Sequence, residues 1–207
     1  MKQTHATLFA MAAAALLAGC SDATGTAGSG DAQMQVAAVG DNGGASAYAA
    51  PEGGAPRYTM TSAEGTVDFR ARVYVQTQAG GWVELTGGAA QQAVVDASGR
   101  AGSVVFASSR VQAGTYTRVR VVFEQVKANV SGTVVISSGL LSGTVNVDTE
   151  GDGSVTVERQ VSASVSAGGT GHLLIDLNSD VWLNQASATA HTVNEAAFAG
   201  AVQVTSY

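Results

Sequence analysis

Apolar and polar side chains alternate without a break over residues 65–76. One set of alternate positions carries Val67, Phe69, Ala71, Val73 and Val75, and the set between them carries Asp68, Arg70, Arg72, Tyr74 and Gln76. A period of two is typical of a strand with one buried face. The Gly-rich turn at 79–81 then predicts that residues 82–85 return beside this strand as a hairpin.

A second strand with the same period is predicted over residues 115–125. Its inward positions are Thr117, Val119, Val121 and Phe123, and its outward positions are Tyr116, Arg118, Arg120, Val122 and Glu124. Shorter strands are predicted over 92–96, 103–107, 130–137 with Gly132 as a bulge, 144–148, 155–161, 171–177, 181–183, 188–193 and 201–205. Helix is expected only as a turn near 87–93 or 194–198. This spacing of strands and turns predicts an all-β domain over 57–207, an antiparallel β-sandwich.

The N-terminus has the pattern of a bacterial lipoprotein signal peptide. Lys2 precedes an apolar run over 8–18, and Leu17-Ala18-Gly19-Cys20 follows at its end. The run is too short to span a bilayer, which needs about 20 helical residues, so residues 1–19 are predicted to be a signal peptide. Cys20, the only cysteine, is the predicted lipidation site. Ser21 in place of an aspartate favours the outer membrane over the inner membrane of a Gram-negative cell envelope.

Residues 20–56 are rich in Gly, Ala, Ser and Asp, and include few large apolar side chains. Such a segment buries too little surface to offset its ordering entropy. We therefore predict a disordered tether over 20–56, giving little weight to the weakly apolar run at 34–39.

Charge limits the classes of partner. The chain carries 10 Lys and Arg against 16 Asp and Glu, whereas nucleic-acid binding requires a basic stripe. The expected partners are the membrane, through the N-terminal lipid, and an envelope protein or glycan. No cofactor is expected.

The segment Ala113-Gly114-Thr115-Tyr116-Thr117-Arg118-Val119-Arg120 resembles the entry to a strand in a family of bacterial lipoproteins known as a domain of unknown function. Leu173-Leu174-Ile175-Asp176-Leu177-Asn178 and Trp82-Val83-Glu84-Leu85 extend the resemblance from about residue 65 to the C-terminus. That family is similar to prealbumin-like (transthyretin-like) β-sandwiches. The resemblance implies an exported sandwich and no particular activity.

Two groups of charged residues are candidate binding sites. Carboxylates at Asp148, Glu150 and Asp152, followed by Gly153, resemble the start of a calcium loop, although its twelfth position is Arg159 rather than Glu. The alternative is a polar hairpin turn between strands. Arg70, Arg72, Arg118 and Arg120 are predicted to share an outward face, either as an anion-binding patch or paired across strands with the carboxylates of Asp68, Glu84, Glu124 and Glu158. Trp82, Trp182 and Tyr74 could present an aromatic surface to a sugar.

Catalytic motifs are sparse. No Gly-x-Ser-x-Gly elbow, P-loop or dinucleotide fingerprint occurs. His172 and His191 could meet across neighbouring strands, but a metal site needs a third ligand. The expected function is therefore a non-enzymatic binding or structural domain. A carbohydrate- or calcium-binding module is the alternative, and a hydrolase using His172 or His191 ranks third.

Overall fold

The computed structural model describes residues 30–41, 64–149 and 153–207. Strands make up 64% and helices 8% of these residues, and two sheets pack together. The strands are β1 (Asp31–Val39), β2 (Gly65–Thr77), β3 (Trp82–Glu84), β4 (Gln91–Asp96), β5 (Val104–Gln112), β6 (Gly114–Ile136), β7 (Gly139–Asp148), β8 (Val155–Val165), β9 (Thr170–Asp176), β10 (Thr192–Asn194) and β11 (Gln203–Ser206). The helices are α1 (Ser179–Leu183) and α2 (Glu195–Ala201). The predicted all-β sandwich is confirmed.

The smaller sheet has the order β11-β9-β1-β5, and the larger has the order β10-β7-β6-β2-β3, with β4 also on β2 and β8 also on β6. Most neighbouring strands are antiparallel. Two pairs run parallel, β1 with β9 and β10 with β7, so each sheet contains one parallel pair among its antiparallel pairs.

The alternation along β2 predicts its buried face correctly. All five apolar positions from Val67 to Val75 are fully buried. Aromatic rings continue the core in a chain of edge-to-face contacts, with centroids 5.8 Å apart for Phe69 and Phe123, 5.0 Å for Phe123 and Phe198, and 5.5 Å for Phe198 and Trp182. Each such contact adds specificity to the stabilisation from burying apolar area.

Tyr116 does not face outward as predicted. Its ring is 1% exposed, and its hydroxyl donates a hydrogen bond to the carbonyl of Gln112 at 2.6 Å. The ladder between β6 and β8 shifts register between Tyr116 and Arg118. This irregularity puts Tyr116 on the same side of the sheet as Val119, because one extra residue reverses the alternation.

The predicted tether over 20–56 is interrupted by a strand. Residues 31–39 form β1, which lies between β5 and β9 in the smaller sheet. Residues 31–36 alternate, with Ala32, Met34 and Val36 buried between polar positions, whereas Val36 to Val39 are all buried, so the second half of the strand is covered on both faces. The remaining parts of the predicted tether, 20–29 and 42–56, lie outside the described residues.

The predicted hairpin between 144–148 and 155–161 is also wrong. β7 pairs with residues 127–136 of β6, and β8 pairs with residues 114–123 of the same strand. The two therefore lie end to end along one edge of β6. β3 and β4 lie along β2 in the same way, since they pair with residues 74–76 and 66–71.

The two strands predicted over 115–125 and 130–137 are one continuous strand, β6. Its register shifts between Val130 and Thr133, and Gly132 there has a φ of 73°. The predicted bulge at Gly132 is thus confirmed, and it bends β6 without ending it.

Three short elements near the C-terminus differ from prediction. Residues 181–183 belong to α1 instead of a strand, and only 192–193 of the predicted strand over 188–193 is extended, in β10. The helical turn expected near 194–198 is present as α2, whereas 87–93 forms a turn followed by β4. Within the described ranges, no helix has both the length and the apolar character needed to cross a bilayer.

Candidate functional site

The four predicted arginines lie together on the outer face of the larger sheet. Arg70 and Arg72 are on β2, and Arg118 and Arg120 are on the neighbouring β6. Arg72 is opposite Val122, and Val122 is two residues from Arg120 along β6. Side chains at such diagonal positions are about 7 Å apart, as are alternate residues along one strand. We refer to these four residues as the arginine row.

Each glutamate beside the row is shared by two arginines. Glu124 lies 3.5 Å from Arg70 and 3.0 Å from Arg72, and Glu158 lies 3.5 Å from Arg118 and 2.6 Å from Arg120. The cross-strand pairing considered from the sequence is therefore present for Glu124 and Glu158, whereas Asp68 pairs with Lys127 and Glu84 accepts hydrogen bonds from Thr86 and Gly88. Two carboxylates face four guanidinium groups, which leaves the row with an excess of positive charge in an acidic chain.

The guanidinium groups remain accessible to a ligand. The arginine side chains are between 37% and 54% exposed. A guanidinium carries five N–H donors in a planar fork that matches a carboxylate or phosphate. Since each ion pair uses only some of these donors, N–H groups of the row remain free of the ion pairs and point outward.

Arg72 stays charged at any physiological pH. A hydrogen bond with the Tyr74 side chain, and then the neighbouring carboxylate of Glu124, raise the pKa of Arg72 above its ordinary value. The positive charge of Arg72 is consequently fixed and does not act as a pH switch.

Trp82 lies at one end of the arginine row. It is opposite Gln76 of β2, which is itself opposite Arg118 of β6. Trp82 is partly exposed, and the guanidinium carbon of Arg120 lies over its ring at 4.3 Å from the centroid. Trp182, by contrast, is fully buried beside Phe198, so the predicted aromatic surface does not include it.

The predicted calcium loop is only partly within the described residues. Asp148 is exposed at the end of β7, opposite Asn194, whereas Glu150 and Asp152 lie outside the described ranges. Among the described residues, no group of three or more His, Cys, Asp and Glu side chains could hold a metal ion. The calcium site therefore stays a prediction.

Arg159, the twelfth position of that loop, has a structural role. Its Nε donates to the carbonyl of Val202 at 2.9 Å, and a terminal nitrogen donates to the carbonyl of Ala199. These carbonyls end α2, whose last turn has no basic residue of its own. Burial lowers the pKa of Arg159, but the guanidinium still compensates the partial negative charge at the helix C-terminus.

The two histidines are not neighbours. His172 is on β9, whose partners are β1 and β11, and its ring stacks on Tyr207 with centroids 5.3 Å apart. His191 precedes β10 in the other sheet, with φ at 56°, and its carbonyl accepts a hydrogen bond from Asn146. The idea that they meet across neighbouring strands is wrong.

A buried polar junction was not predicted from the sequence. Asn178, with φ at 45°, donates from its side chain to the carbonyl of Ala201 at 2.7 Å. The hydroxyl of Ser179 hydrogen-bonds with the carbonyls of Gly40 and Ala97. The junction joins the ends of β1, β4 and α2. The adjacent Asn-Ser pair was the only signal, since both residues often bond locally to backbone.

Comparisons of the chain with family models, with curated proteins and with solved structures find no match. The resemblance to lipoproteins with a prealbumin-like domain is accordingly an expectation from the sequence. Cys20 lies outside the described residues, so its lipidation likewise depends on the sequence.

Proposed function

We propose that the protein is a lipid-anchored protein of the cell envelope whose β-sandwich is a non-enzymatic binding or structural domain. The observation that carries the proposal is Leu17-Ala18-Gly19-Cys20 directly after a short apolar run. This arrangement is typical of a signal peptide that ends at a lipidated cysteine. Several acyl chains on Cys20 would give stable attachment, since a single chain binds only marginally.

The arginine row supports a binding role. It combines outward guanidinium donors with Trp82, the two types of side chain that would contact an acidic sugar through its carboxylate and its ring. This favours an anionic glycan over an apolar ligand, and it is the observation behind the alternative function, a carbohydrate-binding surface module. The calcium-binding alternative depends on Asp148, Glu150 and Asp152.

Lipidation is tested by expressing the full chain in a bacterial host and measuring the mass of the membrane-extracted protein. The expected mass is that of residues 20–207 plus acyl chains, and Cys20→Ser is expected to be released from the membrane. A wild-type chain that is soluble and without added mass would contradict the proposal. Ser21→Asp tests the address, because we expect this variant to move from the outer to the inner membrane.

Glycan binding is tested with polygalacturonate as the acidic probe and neutral dextran as its control. The double variant Arg70→Gln/Arg118→Gln is expected to lose most of the binding to polygalacturonate. Arg110→Gln, an exposed arginine on the smaller sheet, is the matched control and should bind normally. Equal binding by both variants would show that the arginine row is not the binding site.

A further inference from the structure

The strand register gives the sandwich two distinct ends. Asp31 begins β1 at one end, which we call the anchor end. Three turns surround Asp31 at this end, at 77–81, 112–115 and 165–170. Two of them donate hydrogen bonds to the start of β1, from Ala113 N–H to the Gly30 carbonyl at 2.8 Å and from Gly168 N–H to the Asp31 carbonyl at 2.8 Å. The third turn donates from Gln78 N–H to the Thr115 carbonyl at 3.1 Å.

The distal end lies where β1 finishes. Ser179, at the start of α1, donates its N–H to the carbonyl of Gly40, and Ala97, just after β4, donates to the carbonyl of Gly65. The turn at 97–102 and helix α1 are therefore at this end. From Thr77 to Gly65, β2 covers about 40 Å, and beyond the level of Gly65 only the hairpin of β6 and β7 continues among the described strands, from Val130 to Ile136 and back.

Charge is divided unevenly between the two ends. The position of Arg120 along the strands divides the described residues into two parts. The part between the anchor end and this level, Arg120 included, has four arginines and three carboxylates: Arg110, Arg118, Arg120 and Arg159, and Asp31, Glu84 and Glu158. Beyond that level, nine carboxylates are set against four cations. Five of the carboxylates, at Asp41, Glu64, Asp96, Asp176 and Asp180, lie at the distal end itself. The acidity of the chain is thus concentrated away from its N-terminus.

The surface of the anchor end is uncharged apart from Asp31. Its three turns consist of Gly, Ala, Ser, Thr, Val and Gln. Ala79, Gly80, Ala167 and Gly168 are exposed there. Small uncharged turns can approach lipid headgroups without the desolvation cost of an ionised side chain.

We infer that the anchor end of the sandwich faces the lipid surface and that the acidic distal end points away from it. The inference depends on the proposed lipidation of Cys20. Asp31 is eleven residues after Cys20, and a chain of that length spans at most about 40 Å even when fully extended. The negative surface potential of anionic lipids repels carboxylates within a Debye length of about 10 Å. The connection keeps Asp31 within about 40 Å of the lipid, and the repulsion of the distal carboxylates is what favours this orientation over the reverse one.

The test uses the full, lipidated chain in vesicles of phosphatidylcholine and phosphatidylglycerol that contain a headgroup-labelled energy acceptor. Lipid blocks the thiol of Cys20, the only natural cysteine, so one introduced cysteine can carry the donor dye. Ala79→Cys labels the anchor end and Ala101→Cys labels the distal end. The two sites are matched, since both are exposed alanines in turns.

The expected result is much stronger energy transfer from position 79 than from position 101. Equal transfer, or stronger transfer from position 101, would overturn the orientation. High salt should reduce the difference while the protein remains attached, and a salt-independent difference would overturn the electrostatic part of the inference. Failure of lipidation is distinguishable, because the protein would then not sediment with vesicles and neither dye would transfer energy.

Discussion

The guanidinium carbon of Arg120 lies 4.3 Å from the centroid of the Trp82 ring, while the Nε of the same arginine bonds with Glu158 at 2.6 Å. Arg120 is on β6, Trp82 on β3 and Glu158 on β8. Since β2 lies between β3 and β6, this one side chain connects the outer surfaces of four strands. It fixes the guanidinium plane at the centre of the proposed binding surface.

A double-mutant cycle with Trp82→Leu and Arg120→Met should give a coupling free energy of about 0.5–1 kcal/mol, the usual value for an exposed cation–π pair. Urea unfolding measures each free energy. Trp182 is fully buried and reports folding by fluorescence in every variant. A coupling of zero would mean that the ring and the guanidinium do not interact in solution.

Arg159→Met should destabilise the fold by about 1.5–3 kcal/mol, the range for hydrogen bonds that involve a charged group. The variant leaves the carbonyls at the end of α2 without their donor and removes the favourable charge. Arg100→Met is the control, because its ion pair with Glu64 is long at 3.7 Å and highly exposed; exposed pairs contribute about 1 kcal/mol or less. Similar losses in the two variants would contradict a capping role for Arg159.

Asn178 combines a left-handed backbone with a buried hydrogen bond, and two substitutions separate these contributions. Asn178→Gly keeps the backbone conformation accessible but removes the side-chain donor to Ala201, at an expected cost of about 1–3 kcal/mol. Asn178→Ala should cost about 1 kcal/mol more, because alanine is strained at positive φ. Thermal or urea unfolding measures both, and equal stability of the two variants would argue against the backbone contribution.

Tyr116 should make stability decline at alkaline pH. Burial raises the pKa of its phenol above the ordinary value of 10.0, so the folded state holds the proton more tightly than the unfolded state. Its contribution is therefore complete below about pH 10 and is lost as the pH rises through the folded-state pKa. Tyr116→Phe should lose about 1 kcal/mol at neutral pH and show a shallower alkaline decline.

Unfolding free energies between pH 8 and 11 test the effect of Tyr116. Tyr207→Phe is the control, since Tyr207 is 69% exposed and its substitution should leave the alkaline decline as in the wild type. A wild-type slope in Tyr116→Phe would assign the decline to other groups.

A chain that starts at residue 57 should not fold cooperatively, whereas one that starts at residue 30 should. The shorter chain lacks β1, and with it the backbone partner of both β5 and β9. It also lacks the fully buried side chains of Met34, Val36 and Ala38. Circular dichroism during thermal unfolding tests this, and a sharp transition in the shorter chain would show that β1 is dispensable.

The sequence predicts best where one face of a strand is buried and the other is solvated. β2 satisfies this condition, and its alternation gave the core face and the outward arginines correctly. The pairing of those arginines with Glu124 and Glu158 depends on β2, β6 and β8 being neighbours in the sheet. Because the sequence does not specify this order of strands, it predicts only that such pairing is possible.

The errors have physical causes that a single sequence does not reveal. β1 alternates only over residues 31–36, and its last residues, Ala37 to Val39, are small and buried on both faces, so its pattern differs little from that of the Gly- and Ala-rich residues around it. The alternation predicts the wrong face for Tyr116 because a local irregularity reverses it. The hairpin predicted after Asp148 is wrong because turn residues mark a break in a strand without specifying its partner.

The strands that pair with the outer edge of β2 are interrupted, and this interruption affects whether two molecules can associate through their sheet edges. β3 and β4 form one edge of the larger sheet as segments of three and six residues, separated by the turn at 85–90. Neither segment offers a long row of exposed backbone donors and acceptors to a strand from another molecule. Short, broken edges of this kind oppose edge-to-edge aggregation, and the proposed lipid anchor would give that protection particular value by holding many copies on one surface.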